Sequence, residues 1–257
     1  SRIAAEGVAR AAISADGKTA CVIEVNSETD FVAKNETFTS FVEAVNAAAL
    51  ASDLQGGKDG EDIEALLAVP FEGATVKDVL VEKTATIGEK LSIRRFEKVA
   101  GDVAVSYIHG GGRIGVLVVA DTDVVNDEIK AALKNVAMQV AAMSPKYVSR
   151  EEVSQDYLDH EKEILLAQAK KENPEKPENI IEKMIIGRLN KELKEICLLD
   201  QVYVQDSDLT VGKYVDKVAK ENGANVKVTK FVRFETGEGI EKKVDDFAAE
   251  VAAQAGM

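Results

Sequence analysis

Reactive side chains are scarce in this chain. It holds two cysteines, Cys21 and Cys197, and two histidines, His109 and His160. So few thiols give no disulfide framework, and zinc sites of the usual composition need more cysteine and histidine. No Cys-x-x-Cys or His-Glu-x-x-His occurs, no Gly-x-x-x-x-Gly-Lys-Ser/Thr loop, and no Gly-x-Gly-x-x-Gly after a strand. Neither a metal site nor a cofactor is expected. Long apolar runs are missing as well. The longest candidate, Val99 to Ala120, is broken by Asp102, by His109 with Gly110 to Gly112, and by Arg113, so nothing reaches the roughly 18–20 residues that cross a bilayer. No basic-then-apolar signal pattern opens the chain, and the cytoplasm is the expected compartment. Its first residues, Ser1-Arg2-Ile3, read as those of a fragment or a processed form. Basic residues are also in deficit, 32 against 45 acidic ones, for a net charge of −13. Nucleic-acid binders draw affinity from neutralising phosphates, so direct nucleic-acid binding is not expected. An acidic surface suits a protein that docks on another protein.

What is present is enough apolar material, 46% of 257 residues, for one large domain or two modest ones. Gly7 to Ile13 and Cys21 to Val25 alternate around a turn at Asp16-Gly17-Lys18, which predicts a β-hairpin. A polar stretch, Asn26 to Asn35, leads to Phe38, Phe41, Val42, Val45 and Ala49 at helical spacing. The same order returns from Val103. Strands over 103–108 and 114–119 flank a glycine turn, and a helix follows with Ile129, Leu133, Val136, Val140 and Met143, ending near Ser144-Pro145. Between the two units lie a stretch rich in Gly and Asp, Ser52 to Glu72, and a strand over 90–96. Residues 149–200 read as an antiparallel helical hairpin. Its first helix is opened by a Ser149–Glu152 capping box and striped by Val153, Tyr157, His160, Ile164 and Ala167. Its second helix is striped by Ile181, Ile185, Leu189, Leu193 and Ile196. A helix over 211–221 stopped by Asn222-Gly223, a strand over 226–234 and a last helix with Val244, Phe247, Ala248 and Val251 close the chain.

The fold class expected is α+β. Two related subdomains each carry a small antiparallel sheet packed by helices, and an antiparallel helical hairpin is inserted. The divisions expected are 1–98, then 99–148 completed by 201–240, the hairpin over 149–200, and a C-terminal helix over 241–257.

A search for chemistry leaves little. Cys21 in a strand and Cys197 on a helical stripe read as small core residues. Glu151-Glu152 and Asp245-Asp246 read as solvated helix faces, and His160 as a packed or partner-facing residue. Two places survive. In Thr29-Asp30-Phe31-Val32-Ala33-Lys34-Asn35 an aromatic residue sits in a polar loop between a strand and a helix. Composition alone favours a plain reading there, with Asp30 as helix N-cap and Phe31 folded back as a hydrophobic staple. In His109-Gly110-Gly111-Gly112-Arg113 the glycines admit close backbone approach. The plain reading of that turn is an ordinary flexible hairpin.

Taken together, several segments resemble the elongation factor Ts family. They are Thr29-Asp30-Phe31-Val32-Ala33-Lys34 after Cys21-Val22-Ile23-Glu24-Val25, and Ile87-Gly88-Glu89 leading into Ile93-Arg94-Arg95. Tyr107-x-His109-Gly110 running into Arg113 to Val118 belongs with them, as does the ending Phe231-x-Arg233-Phe234-Glu235-x-Gly237-Glu238-Gly239-Ile240-Glu241-Lys242. The likeness runs along nearly the whole chain in order. The family's small N-terminal ubiquitin-associated-like domain has no counterpart in it. The resemblance implies no enzyme but a guanine-nucleotide exchange factor for elongation factor Tu, which promotes GDP release by displacing magnesium. Phe31 would be the wedge and Asp30 would orient it, with Thr29 and Val32 shaping the loop. His109, Gly110 and Gly111 would make a second contact on the same GTPase domain, and Ile87 and Gly88 a supporting contact. Val204 would touch a different domain of the partner. The hairpin would serve self-association or a further partner contact. Two rival readings stand beside this. One is an α+β interaction scaffold without exchange activity, its Phe31 buried. The other is a magnesium-dependent enzyme built on acidic residues, for which convergent carboxylates are not visible.

Overall fold

The computed structural model describes residues 3–241 and 255–256 of the chain. Val244, Phe247, Ala248 and Val251, the stripe of the expected C-terminal helix, lie outside them. The chain begins with β1 (Glu6–Ile13) and β2 (Thr19–Ser27), joined through Asp16-Gly17 with Gly17 at φ 73°. Next come a single helical turn, α1 (Asp30–Ala33), and the long α2 (Glu36–Ala51). The Gly- and Asp-rich stretch is not a bare loop. It holds β3 (Gly56–Gly57), α3 (Ile63–Leu67) and part of the pair β4 (Pro70–Phe71) and β5 (Ala74–Thr75), ahead of α4 (Val76–Ile87) and β6 (Ser92–Ala100). The second half runs β7 (Val103–His109), β8 (Ile114–Thr122), α5 (Asp127–Met143), α6 (Gln155–Glu172), α7 (Glu178–Ile196), α8 (Val211–Glu221) and β9 (Val226–Glu235).

Beside the two-stranded β4-β5 pair, the described residues form two larger antiparallel sheets, one in the order β1-β2-β6-β3 and one in the order β7-β8-β9. Alternation along their central strands sets the layers, because successive side chains leave a strand on opposite faces. On β2, Cys21, Ile23 and Val25 pack against Phe38, Phe41, Val42, Val45 and Ala49 of α2, while Ala20 and Val22 turn to the other sheet. On β8, Val116, Val118 and Ala120 meet Ile129, Leu133, Val136 and Val140 of α5, and Leu117 and Val119 meet the first sheet. The order is thus helix, sheet, sheet, helix, an α+β fold of small antiparallel sheets packed by helices. The sheets come close at Gly115, where a Cβ would lie 2.9 Å from Val22 Cγ2 and 3.0 Å from the Ala9 Cβ. Asn35 and Asn126 cap α2 and α5 alike, each side-chain oxygen accepting N–H bonds from the first turn.

One charged cluster is built into this core. Glu24 is fully buried, and its carboxylate accepts from Arg95 Nε at 2.7 Å, Arg94 Nη1 at 3.2 Å and the Gly237 N–H at 2.8 Å. Arg95 also lies over the Phe234 ring, 4.3 Å from its centre. Buried charges persist only when paired, and this set ties the segment after β9 to the first sheet.

The helical hairpin differs from expectation in two details. Ser149 makes no capping bond, and Arg150–Glu152 is a 3-10 turn followed by extended Val153. The helix starts later, where the Ser154 hydroxyl accepts from Tyr157 N–H. The inward face of α6 is therefore carried by Tyr157, Leu158, Leu165, Leu166 and Ala169. His160, Ile164 and Ala167 are exposed, so His160 is not packed in the hairpin. On α7 the expected residues Ile181, Ile185, Leu189 and Leu193 are buried.

Candidate functional site: two turns beside the first strand

The segment after β2 is shaped by polar contacts. Thr29, not Asp30, caps α1, its hydroxyl oxygen accepting from the Val32 N–H at 3.3 Å. Both residue types are competent caps. The difference is made by Glu89, whose Oε2 accepts the backbone N–H groups of Glu28 (3.0 Å) and Thr29 (3.1 Å). Its Oε1 accepts the Thr29 hydroxyl at 2.5 Å. In return the Lys90 N–H donates to Glu28 Oε1 at 2.9 Å. Ile87 and Gly88 deliver Glu89 to this place. Ile87 is half-buried against the α2 core, and Gly88 ends α4 at φ 83°, its N–H bonded to the Thr84 carbonyl at 2.9 Å.

This clamp leaves the side chains of the turn on opposite sides. Val32 and Ala33 face the core that includes Val8 and Phe38. Phe31 is 83% exposed, so it is no staple. The one-turn helix directs it outward, and α2 is closed instead by its own Asn35 cap. Asp30 is exposed beside the ring, and its carboxylate has no hydrogen-bonding partner among the described residues. Burying a phenylalanine is worth about 1.5–3 kcal/mol. An aromatic ring held out in water forgoes that gain, which makes it a natural anchor for another surface.

The glycine turn is built differently. Gly110, Gly111 and Gly112 all have positive φ, at 60°, 68° and 119°. The turn is not loose. The Gly112 carbonyl accepts from Ala9 N–H at 2.7 Å and from the Thr236 hydroxyl at 2.8 Å, and Arg10 Nη1 donates to the Gly111 carbonyl at 3.0 Å. A Cβ on Gly112 would sit 2.5 Å from Arg10 Nη1 and 3.0 Å from the Val8 Cβ, so the glycine is needed for the close approach. His109 is exposed at the tip, with Nδ1 2.9 Å from the Tyr107 hydroxyl. Val204, 51% exposed, joins Tyr107, His109, Ile114, Met138 and Ala142 around a cleft of about 270 Å³.

The sequence-predicted residues thus fall in two groups. Thr29, Asp30, Phe31 and Val32 are tied to Ile87 and Gly88 through Glu89. His109, Gly110 and Gly111 lie near Val204. Both groups meet β1: α1 packs on it near Val8, and Gly112 abuts Val8 and Ala9. Sequence reasoning singled out neither Arg10, Thr236 nor Glu89 for a role. Glu89 alone left a trace, standing beside Ile87 and Gly88 in the family resemblance without a role.

Other chemistry is thin among the described residues. No group of three or more His, Cys, Asp or Glu side chains converges there to hold a metal ion. Burial pushes the Cys21 thiol up to about 12 and raises that of Cys197. Both are protonated at neutral pH and poor nucleophiles. No described helix is long and apolar enough to cross a membrane.

The class defined by fold and site is an α+β protein that presents two rigid turns, one offering an aromatic side chain and the other open backbone. Comparison with known proteins sharpens this. The family model described as elongation factor TS matches residues 28–238. The elongation factor Ts of Clostridioides difficile strain 630 is 52% identical over 256 residues, covering 98% of this chain and 82% of that protein. Those of Clostridium botulinum strain Alaska E43 and Trichlorobacter lovleyi are 46% and 48% identical, covering 99% and 100% of this chain and 82% and 83% of theirs. The chain belongs to the elongation factor Ts family, a family of translation elongation factors.

Proposed function

We propose that this protein is a guanine-nucleotide exchange factor that docks on elongation factor Tu in the cytoplasm and promotes GDP release. It performs no covalent step of its own. Phe31 enters the partner's GTPase domain near the bound magnesium ion, with Asp30 beside it and Thr29 and Val32 fixing the turn. The His109-Gly110-Gly111 turn makes a second contact on the same domain, and Ile87-Gly88 a supporting one. Val204 reaches a separate part of the partner. The observation that carries this reading is the exposed Phe31 ring on a turn clamped at its base.

The energetics bound what each part supplies. An exchange factor loosens GDP only to the extent that it binds the nucleotide-free partner more tightly, and the loosening is reciprocal. Each ~1.4 kcal/mol is a factor of ten. A single aromatic anchor supplies roughly 2–3 kcal/mol. The loss of a magnesium ion bridging phosphates, a large local charge, and a wide interface must provide the rest. The hairpin, with Ile164, Ile180 and Ile186 exposed, suits the expected role in association.

The test is release of a fluorescent GDP analogue from elongation factor Tu with catalytic amounts of this protein. Acceleration that collapses in Phe31→Ala is the expected result. Tight binding to the nucleotide-free partner without faster release would leave an interaction scaffold and end the exchange reading.

A further inference from the structure

We infer that Glu89 is the positioning residue of the Phe31 turn: its carboxylate holds the backbone at Glu28 and Thr29 and so aims a ring it never touches. The inference rests on the exchange reading for its consequence, though not for its structural content. A helix of four residues is far too short to persist by propensity. Phe31, being exposed, contributes no burial to hold it. Val32 and Ala33 seat its far end in the core, and what fixes its entry is polar. Three hydrogen bonds end on one carboxylate, two from backbone N–H groups and one from the Thr29 hydroxyl. Bonds to an ionised acceptor are the stronger kind. Having donated its hydrogen to Glu89, the Thr29 oxygen presents lone pairs to the Val32 N–H, so the orientation of the cap depends on the clamp. Gly88, at a φ that only glycine adopts freely, sets the direction from which Glu89 arrives.

The consequence is preorganisation. A ring on a wandering loop must be ordered at docking, whereas a clamped one arrives oriented. Loss of the clamp therefore slows GDP release while leaving the helix–sheet–sheet–helix core intact. Glu89→Gln keeps the geometry, because the amide oxygen accepts both backbone N–H groups and the amide NH₂ donates to the Thr29 hydroxyl. Glu89→Ala removes all three bonds.

Two measurements on the full chain decide the matter. In the free protein, amide hydrogen exchange at Glu28 and Thr29 is expected to speed up in Glu89→Ala and stay slow in Glu89→Gln, with β2 amides such as Ile23 protected in both. In the GDP-release assay, Glu89→Ala is expected to be about tenfold slower or more, the scale of a lost set of hydrogen bonds, with Glu89→Gln between it and wild type, since the amide keeps the bonds but not the charge. Adding Glu89→Ala to Phe31→Ala should cost almost nothing further, since the clamp acts through the ring. Unchanged protection at Glu28 and Thr29, or a full additional loss in the double variant, overturns the inference. A wild-type protein that fails to accelerate release sinks the exchange reading instead, and the amide measurement then decides the clamp by itself.

Discussion

The two strand–strand–helix units of this molecule put different chemistry at the surface. In the first, the hairpin turn at Asp16-Gly17 reaches the second sheet through one backbone bond, from the Ala104 N–H to the Gly17 carbonyl at 2.9 Å, and the distinctive feature lies between β2 and α2, where α1 holds Phe31 out in water. In the second, the path from β8 to α5 is plain, and the distinctive feature is the hairpin turn itself, with three glycines at positive φ, of which Gly112 is pinned against β1. One unit displays a side chain and is fixed by a carboxylate brought from 60 residues away. The other displays backbone and is fixed by main-chain carbonyls. The lesson concerns tolerance. A side-chain feature is lost by truncation without harm to the fold, whereas a backbone feature that needs positive φ fails together with its local structure.

That contrast is broken most sharply at Phe31. Phe31→Ala removes an exposed ring, so thermal stability is expected to stay within about 0.5 kcal/mol of wild type. GDP release from elongation factor Tu should slow by roughly 30- to 150-fold, the equivalent of about 2–3 kcal/mol, with a smaller change in affinity for the nucleotide-free partner. Stopped-flow release and a melting curve on the same preparation check both halves. A large loss of stability would mean that the ring packs in solution and that the two turns are not different in kind. Because the chain contains no tryptophan, Phe31→Trp would also supply a sole indole probe. Its emission should be that of a solvated ring in the free protein and shift to the blue on docking.

The glycine turn should respond the other way. Gly112→Ala places a Cβ 2.5 Å from Arg10 Nη1 and against Val8, at a positive φ. It is expected to cost about 2 kcal/mol of stability. Gly111→Ala meets open space at φ 68° and should cost only about 1 kcal/mol. Chemical denaturation of the pair checks the order. Equal effects would show that conformation, not the close approach to β1, is what the turn requires.

How far the sequence was legible follows the same line between local and distant causes. The hairpin at Asp16-Gly17, the stripes of α2, α5 and α7, and the stop of α8 at Asn222-Gly223 are written in neighbouring residues and are present, except that Met143, the last residue of the expected α5 stripe, is exposed. The phase of α6 differs from the stripe its sequence suggests, because a stripe begun at Val153 starts too early. Val153 lies before the helix, and a helix as polar as this one has no strong stripe to correct the error. Thr29 and Asp30 are equally plausible caps in sequence. The choice between them is made by Glu89, which no local pattern could reveal. Likewise nothing near Gly112 in the chain announces that Arg10 and Thr236 will hold it still.

The smallest effect expected is at Tyr107, and it separates the two parts of the glycine turn. The Tyr107 hydroxyl lies 2.9 Å from His109 Nδ1, near the cleft that Val204 also lines. If the backbone of the turn is fixed by Ala9, Arg10 and Thr236, then removing this hydroxyl frees only the imidazole. Tyr107→Phe should therefore leave the fold unchanged within about 0.5 kcal/mol and weaken partner binding by about 0.5–1 kcal/mol, the net worth of one exposed hydrogen bond. Isothermal titration against nucleotide-free elongation factor Tu, set beside His109→Ala, makes the comparison. A Tyr107→Phe loss as large as that of His109→Ala would show that the ring's orientation, and not only the open glycine backbone, is what this turn offers. The second unit would then also present a side chain, and the division between the two turns would be one of degree.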